Sequence, residues 1–92
     1  MDNIIKKKSD VFILQGKINS STTNQLITHL EYLLCLNKEL TINIDKVTNI
    51  DEKGILALFH LQVYALRYNY SFAIVGKGSR DIYNEFKYKN VA

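Results

Sequence analysis

The chain has 92 residues, 47% of them hydrophobic and 23% charged. That suffices for one compact domain burying roughly 60 to 65% of its unfolded surface, but not for two cores or a deep enclosed active site, so function is expected at the surface. The 12 Lys and Arg exceed the 9 Asp and Glu to give a net charge of +3, too small a surplus to point to direct binding of nucleic acid.

In chain order, Met1 to Lys8 lacks the apolar stretch of a secretory signal, and Ile4 to Lys7 fits a short strand pairing as a hairpin with the next apolar run. Val11, Phe12, Ile13 and Leu14 form that run, a buried strand closed by a turn at Gly16. Ser20 to Thr23 supply helix caps, and Leu26, Ile27, Leu30, Leu33 and Leu34 then recur at helical spacing. Cys35 falls almost opposite this apolar arc and is expected to be partly exposed.

Leu40, Ile42 and Ile44 alternate with Thr41, Asn43 and Asp45, which predicts a strand with one apolar face, followed by a polar loop. From Asp51 the spacing is helical, with Ile55, Leu58, Phe59, Gln62, Ala65 and Leu66 predicted on the core side and an end near Asn69. Ser71 to Val75 reads as a short buried strand closed by Gly76, Lys77 and Gly78. Ser79 then caps a last helix reaching about Tyr88, with Ile82, Tyr83 and Phe86 turned inward. The order β-β-α-β-α-β-α predicts a single α/β domain in which a mixed sheet of about four strands packs against helices. Only the first strand pair needs to be antiparallel.

The most informative stretch holds Asp45, Val47, Ile50, Asp51, Glu52, Lys53, Gly54 and Ile55 at a strand-to-helix junction. It resembles the STAS domain of anti-sigma factor antagonists, in which a strand ending in Asp leads through a Val-containing loop to Ile or Met, Asp, Ser, Ser or Thr, Gly and Leu at the start of a helix. The upstream Leu14, Gln15, Gly16, Lys17 and Ile18 are similar to that family's Leu-x-Gly-x-Leu strand end. The likeness extends over about Val11 to Tyr88, and its element order agrees with the one that periodicity predicts.

The resemblance implies a non-catalytic regulatory module in a bacterial cytoplasm, working by partner switching in transcription regulation. Its partner would be an anti-sigma factor of the switch-kinase type, and any nucleotide would belong to that kinase. Glu52 stands where the family has its phosphoacceptor Ser, and Lys53 replaces the second Ser or Thr. Glu has no hydroxyl to phosphorylate, yet it brings about one negative charge to a helix start that favours acids, where phosphoserine would bring nearly two. Glu52 therefore either imitates the phosphorylated state weakly or removes that control. Asp51 is expected to cap the helix; read in isolation, Asp51 and Glu52 are ordinary N-terminal acids of a helix, with Gly54 allowing close packing.

On the second helix Ala57, Leu61, Tyr64 and Tyr68 share a side facing away from the predicted core arc, flanked by His60 and Arg67. They form either a protein-docking patch or a side covered by the chain's own C-terminal helix. The expected partner surface thus comprises Asp51, Glu52, Lys53, Gly54, Ala57, Leu61 and Tyr64. A second reading within the resemblance is a STAS subunit of a lipid-transporter complex that binds its cytoplasmic ATPase. A third, of another class, is a small nucleotide-binding protein using the Gly76 to Ser79 turn, although this lacks P-loop spacing.

Other signals are blander. Cys35 is the single cysteine, so no internal disulfide is expected, and no Cys and His cluster has metal-ligand spacing. No catalytic residue, metal or cofactor is therefore expected, and the default compartment is reducing. His29 and His60 fall on different helices without catalytic neighbours. Lys6 to Lys8 suit a solvated strand edge. No apolar run has the length of a membrane span.

Overall fold

Three helices and a parallel sheet make up an α/β domain in the computed structural model, which describes residues 6–8, 11–19 and 21–91. The elements are β1 (Lys6–Lys8), β2 (Val11–Ile18), α1 (Thr23–Asn37), β3 (Glu39–Ile50), α2 (Glu52–Tyr68), β4 (Ser71–Val75) and α3 (Ser79–Val91). β2, β3 and β4 lie side by side and parallel, with β3 at the centre. The three residues of β1 run antiparallel along β2. Ile4 and Ile5, expected to belong to the first strand, and Ser20, expected among the helix caps, lie outside the described residues.

Two strands run further than their sequence pattern predicts. The turn expected at Gly16 and the polar loop expected after Asp45 are both strand, because Gln15 to Ile18 of β2 pair with Lys46 to Ile50 of β3. The register shifts twice, between Ile13 and Gln15 and between Gly16 and Lys17. Each time β3 gains one residue on β2, and such bulges break the period-two pattern. Gly16 takes φ 80 between the two shifts, a conformation that carries no Cβ penalty for glycine alone.

Among the described residues only one face of the sheet carries the buried core. Leu14 and Ile18 of β2, Leu40, Ile42 and Ile44 of β3, and Phe72 and Ile74 of β4 join one cluster with Leu26, Leu30 and Leu34 of α1, Leu58, Leu61 and Ala65 of α2, and Ile82 and Phe86 of α3. Alternate strand residues point to opposite faces, so all three helices must cover the same face, in two layers. Each buried leucine or isoleucine contributes roughly 1.5 to 3 kcal/mol.

The helix ends follow local chemistry. Asn19 and the Ser and Thr residues described after it organise the entry to α1 together: the Asn19 carbonyl accepts the Thr22 and Thr23 N–H groups at 3.0 and 2.8 Å and the Thr23 hydroxyl at 2.6 Å, while Thr22 Oγ1 accepts the Asn19 N–H at 3.1 Å. Thr22 holds the N-cap position without a side-chain cap bond. Asn69 ends α2 at φ 61, where its N–H reaches back to the last carbonyls, a left-handed cap that Asn tolerates well. Ser79 is the first helical residue of α3 rather than its cap, because the Ile82 N–H already donates to the Gly78 carbonyl at 3.2 Å.

Candidate functional site

The junction of β3 and α2 is built around Asp51. Its backbone is extended, its N–H donates to the Ile18 carbonyl of β2 at 3.1 Å, and its carboxylate accepts the Gly54 N–H at 2.9 Å. One residue thus joins the sheet to the helix and satisfies one of the helix's orphan donors. Gly54 is buried, and a Cβ there would lie 2.8 Å from Ile50 Cγ1 and 3.1 Å from the Ile18 carbonyl oxygen. The helix can approach the ends of both strands this closely only with glycine at this position.

Glu52 and Lys53 occupy the exposed outer side of the first turn. The Glu52 side chain makes no hydrogen bond or ion pair among the described residues, so its charge faces solvent at the positive end of the helix dipole. Beside it, Lys53, Leu56, Ala57 and His60 of α2 face Thr23 and Asn24 of α1 across a shallow groove of about 240 Å³. Leu56 is 41% exposed. An apolar residue ringed by polar groups beside a charged helix start has the composition of a small protein-docking surface.

The rest of the expected surface is corrected. α2 is flanked on both sides: α1 covers the Leu61 and Tyr64 side, while Phe59 on the other side meets Phe86 of α3 with ring centroids 5.4 Å apart. Leu61 is therefore core, only 1% exposed, whereas Leu66, predicted inward, is 66% exposed. The covering helix is α1 and not the C-terminal one. Tyr64 is half-buried and shares a hydrogen bond with Cys35 of α1, sulfur to oxygen 2.9 Å. Twelve residues of helix, about 18 Å, separate it from Glu52, so the two do not belong to one small contact. Sequence reasoning missed Leu56 as a surface residue. The signal was its position one helical turn beyond Glu52 and opposite Leu58.

Tyr64 instead belongs to an aromatic cluster at the far end of α2, with Tyr68 at 4.8 Å between ring centroids, and Tyr70 stacked on Tyr68 at 5.9 Å. The bond to Cys35, then desolvation, then neighbouring charges push the Tyr64 hydroxyl up from 10.0 to about 12. Cys35 itself is exposed, as its place opposite the apolar arc predicts.

In the turn after β4 two N–H groups that face a phosphate in a cradling loop are already taken. The Asp45 carboxylate accepts the Lys77 N–H at 2.7 Å, and the Ser79 N–H is taken by the Gly76 carbonyl at 3.1 Å. A phosphate would have to displace a carboxylate of its own charge sign. Asp45, matched to the family's strand-end Asp, thus ties mid-β3 to the turn between β4 and α3. His29 and His60 are exposed on separate helices. Among the described residues no group of His, Cys, Asp and Glu is placed to hold a metal ion, and no helix is long and apolar enough to cross a membrane.

No protein-family model and no curated protein matches the sequence. Solved structures do: a crystal structure of Mglu superimposes with a TM-score of 0.63 over 77% of this chain at 16% identity, and Mglu in its native form with a TM-score of 0.61 over 79% at 13% identity. This chain covers 18% and 23% of those two chains. At such identity the likeness extends to the fold alone: most of this chain's fold recurs as one part of a much longer protein.

Proposed function

We propose that this chain is a STAS-type module, with the family's mixed four-stranded sheet, that regulates another protein by binding it and catalyses nothing itself. The partner that fits best is an anti-sigma factor of the switch-kinase type in a bacterial cytoplasm, held at the exposed first turns of α2. The observation that carries this reading is the Asp51 to Gly54 cap at the β3–α2 junction, which holds residue 52 outward in the first turn. In a STAS antagonist that position would carry the phosphoacceptor; here it carries a carboxylate. Glu52 therefore supplies a permanent, smaller negative charge where phosphorylation would switch a larger one on and off.

The same carboxylate favours a second reading, a STAS subunit bound to a lipid-transporter ATPase, since such a contact needs no phosphorylatable hydroxyl. Affinity capture from the native cell, followed by binding assays with the recovered kinase or ATPase, separates the two. Glu52→Ser should become a substrate of a switch kinase and lose affinity once phosphorylated, while Leu56→Asp should weaken either partner about tenfold or more. Unchanged binding by Leu56→Asp and by Glu52→Lys would sink the proposed docking surface.

A further inference from the structure

We propose that a second groove, between the latter half of β3 and the first turns of α3, binds an extended peptide of a partner protein with apolar residues at alternate positions and basic side chains between them. β4 pairs with only the first part of β3, the register ending at Asn43 opposite Val75. β2 continues alongside β3 as far as Ile50. Residues 46–50 therefore have a strand along one edge and, among the described residues, none along the other, while the Asp45 N–H before them is taken by Asn43 Oδ1 at 2.7 Å. The Asp51 N–H donates towards β2, to the Ile18 carbonyl. Successive amides of an extended chain point to opposite edges, so the Ile50 N–H is turned to the groove. An open row of this kind is a template for an added strand.

The edge of β4 is treated differently, since its Ile74 N–H is taken by the Tyr83 hydroxyl at 2.8 Å. The groove beside residues 46–50 has a volume of about 380 Å³, with Val47, Ile50, Ile55 and Ile82 on its walls. Its rim holds the carboxylates of Asp81 and Glu85 against the single ammonium of Lys77. Neither carboxylate has an ion-pair partner among the described residues. A net acidic rim over apolar walls selects a basic and apolar occupant and disfavours nucleic acid or an anionic lipid surface. The open strand edge, with the Ile50 N–H turned to it, selects an extended polypeptide in particular. This groove lies on the α3 side of α2, away from Lys53 and His60, so the inference stands or falls independently of the function proposed above.

The full chain, labelled with nitrogen-15, would be titrated with the capped hexapeptide Lys-Val-Lys-Val-Lys-Val. The expected result is saturable amide shifts confined to residues 46–50 and 81–85, with slowed exchange of the Ile50 amide proton. The same peptide N-methylated at alternate residues should bind about fivefold more weakly, having lost edge hydrogen bonds. Asp81→Asn combined with Glu85→Gln, both at exposed positions, should also weaken binding about fivefold with the amide spectrum otherwise unchanged. Absence of saturable shifts at residues 46–50 with millimolar peptide, equal affinity for the N-methylated peptide, equal affinity of the double variant, or shifts centred on Lys53 and Leu56 would each overturn the proposal.

Discussion

Cys35 of α1 and Tyr64 of α2, 29 residues apart, share a hydrogen bond of 2.9 Å between thiol and phenol. The contact favours the neutral hydroxyl, whose ionisation moves from 10.0 to about 12. A folded-state value raised above the unfolded one gives stability that is fully present below about pH 10 and lost as the pH rises towards about 12. The difference in unfolding free energy between the parent and Tyr64→Phe should therefore be constant below pH 10 and shift against the parent between 10 and 12. Ultraviolet titration should show one of the 6 tyrosines ionising late, and Cys35→Ala should bring it back towards 10. An unaltered titration in Cys35→Ala would mean that the thiol is not the cause.

The Asp51 carboxylate is a local cap with one well-placed acceptor, so its removal has a bounded cost. Asp51→Ala should lower stability by about 1 kcal/mol, and Asp51→Asn by much less, because an amide oxygen can still accept the Gly54 N–H. Urea unfolding distinguishes the two. Equal losses would mean that charge at the dipole end, rather than the hydrogen bond, supplies the stabilisation.

At Gly54 two effects of opposite sign compete. Alanine is the better helix former by about 1 kcal/mol, but inserting a methyl into a packed site costs about 1 to 3 kcal/mol. The nearest atom, Ile50 Cγ1 at 2.8 Å, sits close to its own backbone, and the Ile18 carbonyl at 3.1 Å belongs to the sheet. Neither can swing aside easily, so packing wins. Gly54→Ala should destabilise by about 1 to 2 kcal/mol, and a more stable variant would show that the junction yields.

Local rules made much of this legible. The span of β4, the end of α2 at Asn69 and the cap at Asp51 depend on residues within a few positions of one another, and periodicity or cap chemistry reveals them directly. Residues 46–50 were hidden as strand because the two extra residues of β3 destroy the alternation that marks one. The site was legible only in its first turn. Which flank of α2 becomes buried depends on where α1 lies across the sheet, and nothing in the helix's own spacing carries that order.

Leu61 and Leu66 test this last point most directly, since the spacing of α2 assigns them the wrong way round. Leu61 is sealed in the core cluster with residues of α1 and the sheet, while Leu66 is 66% exposed. Leu61→Ala removes a side chain from close-packed surroundings and should cost about 2 to 5 kcal/mol, depending on how far the cavity collapses. Leu66→Ala should stay within about 0.5 kcal/mol of the parent. Chemical denaturation of the two variants side by side measures both, and comparable losses would mean that α1 does not cover this flank of α2 in solution.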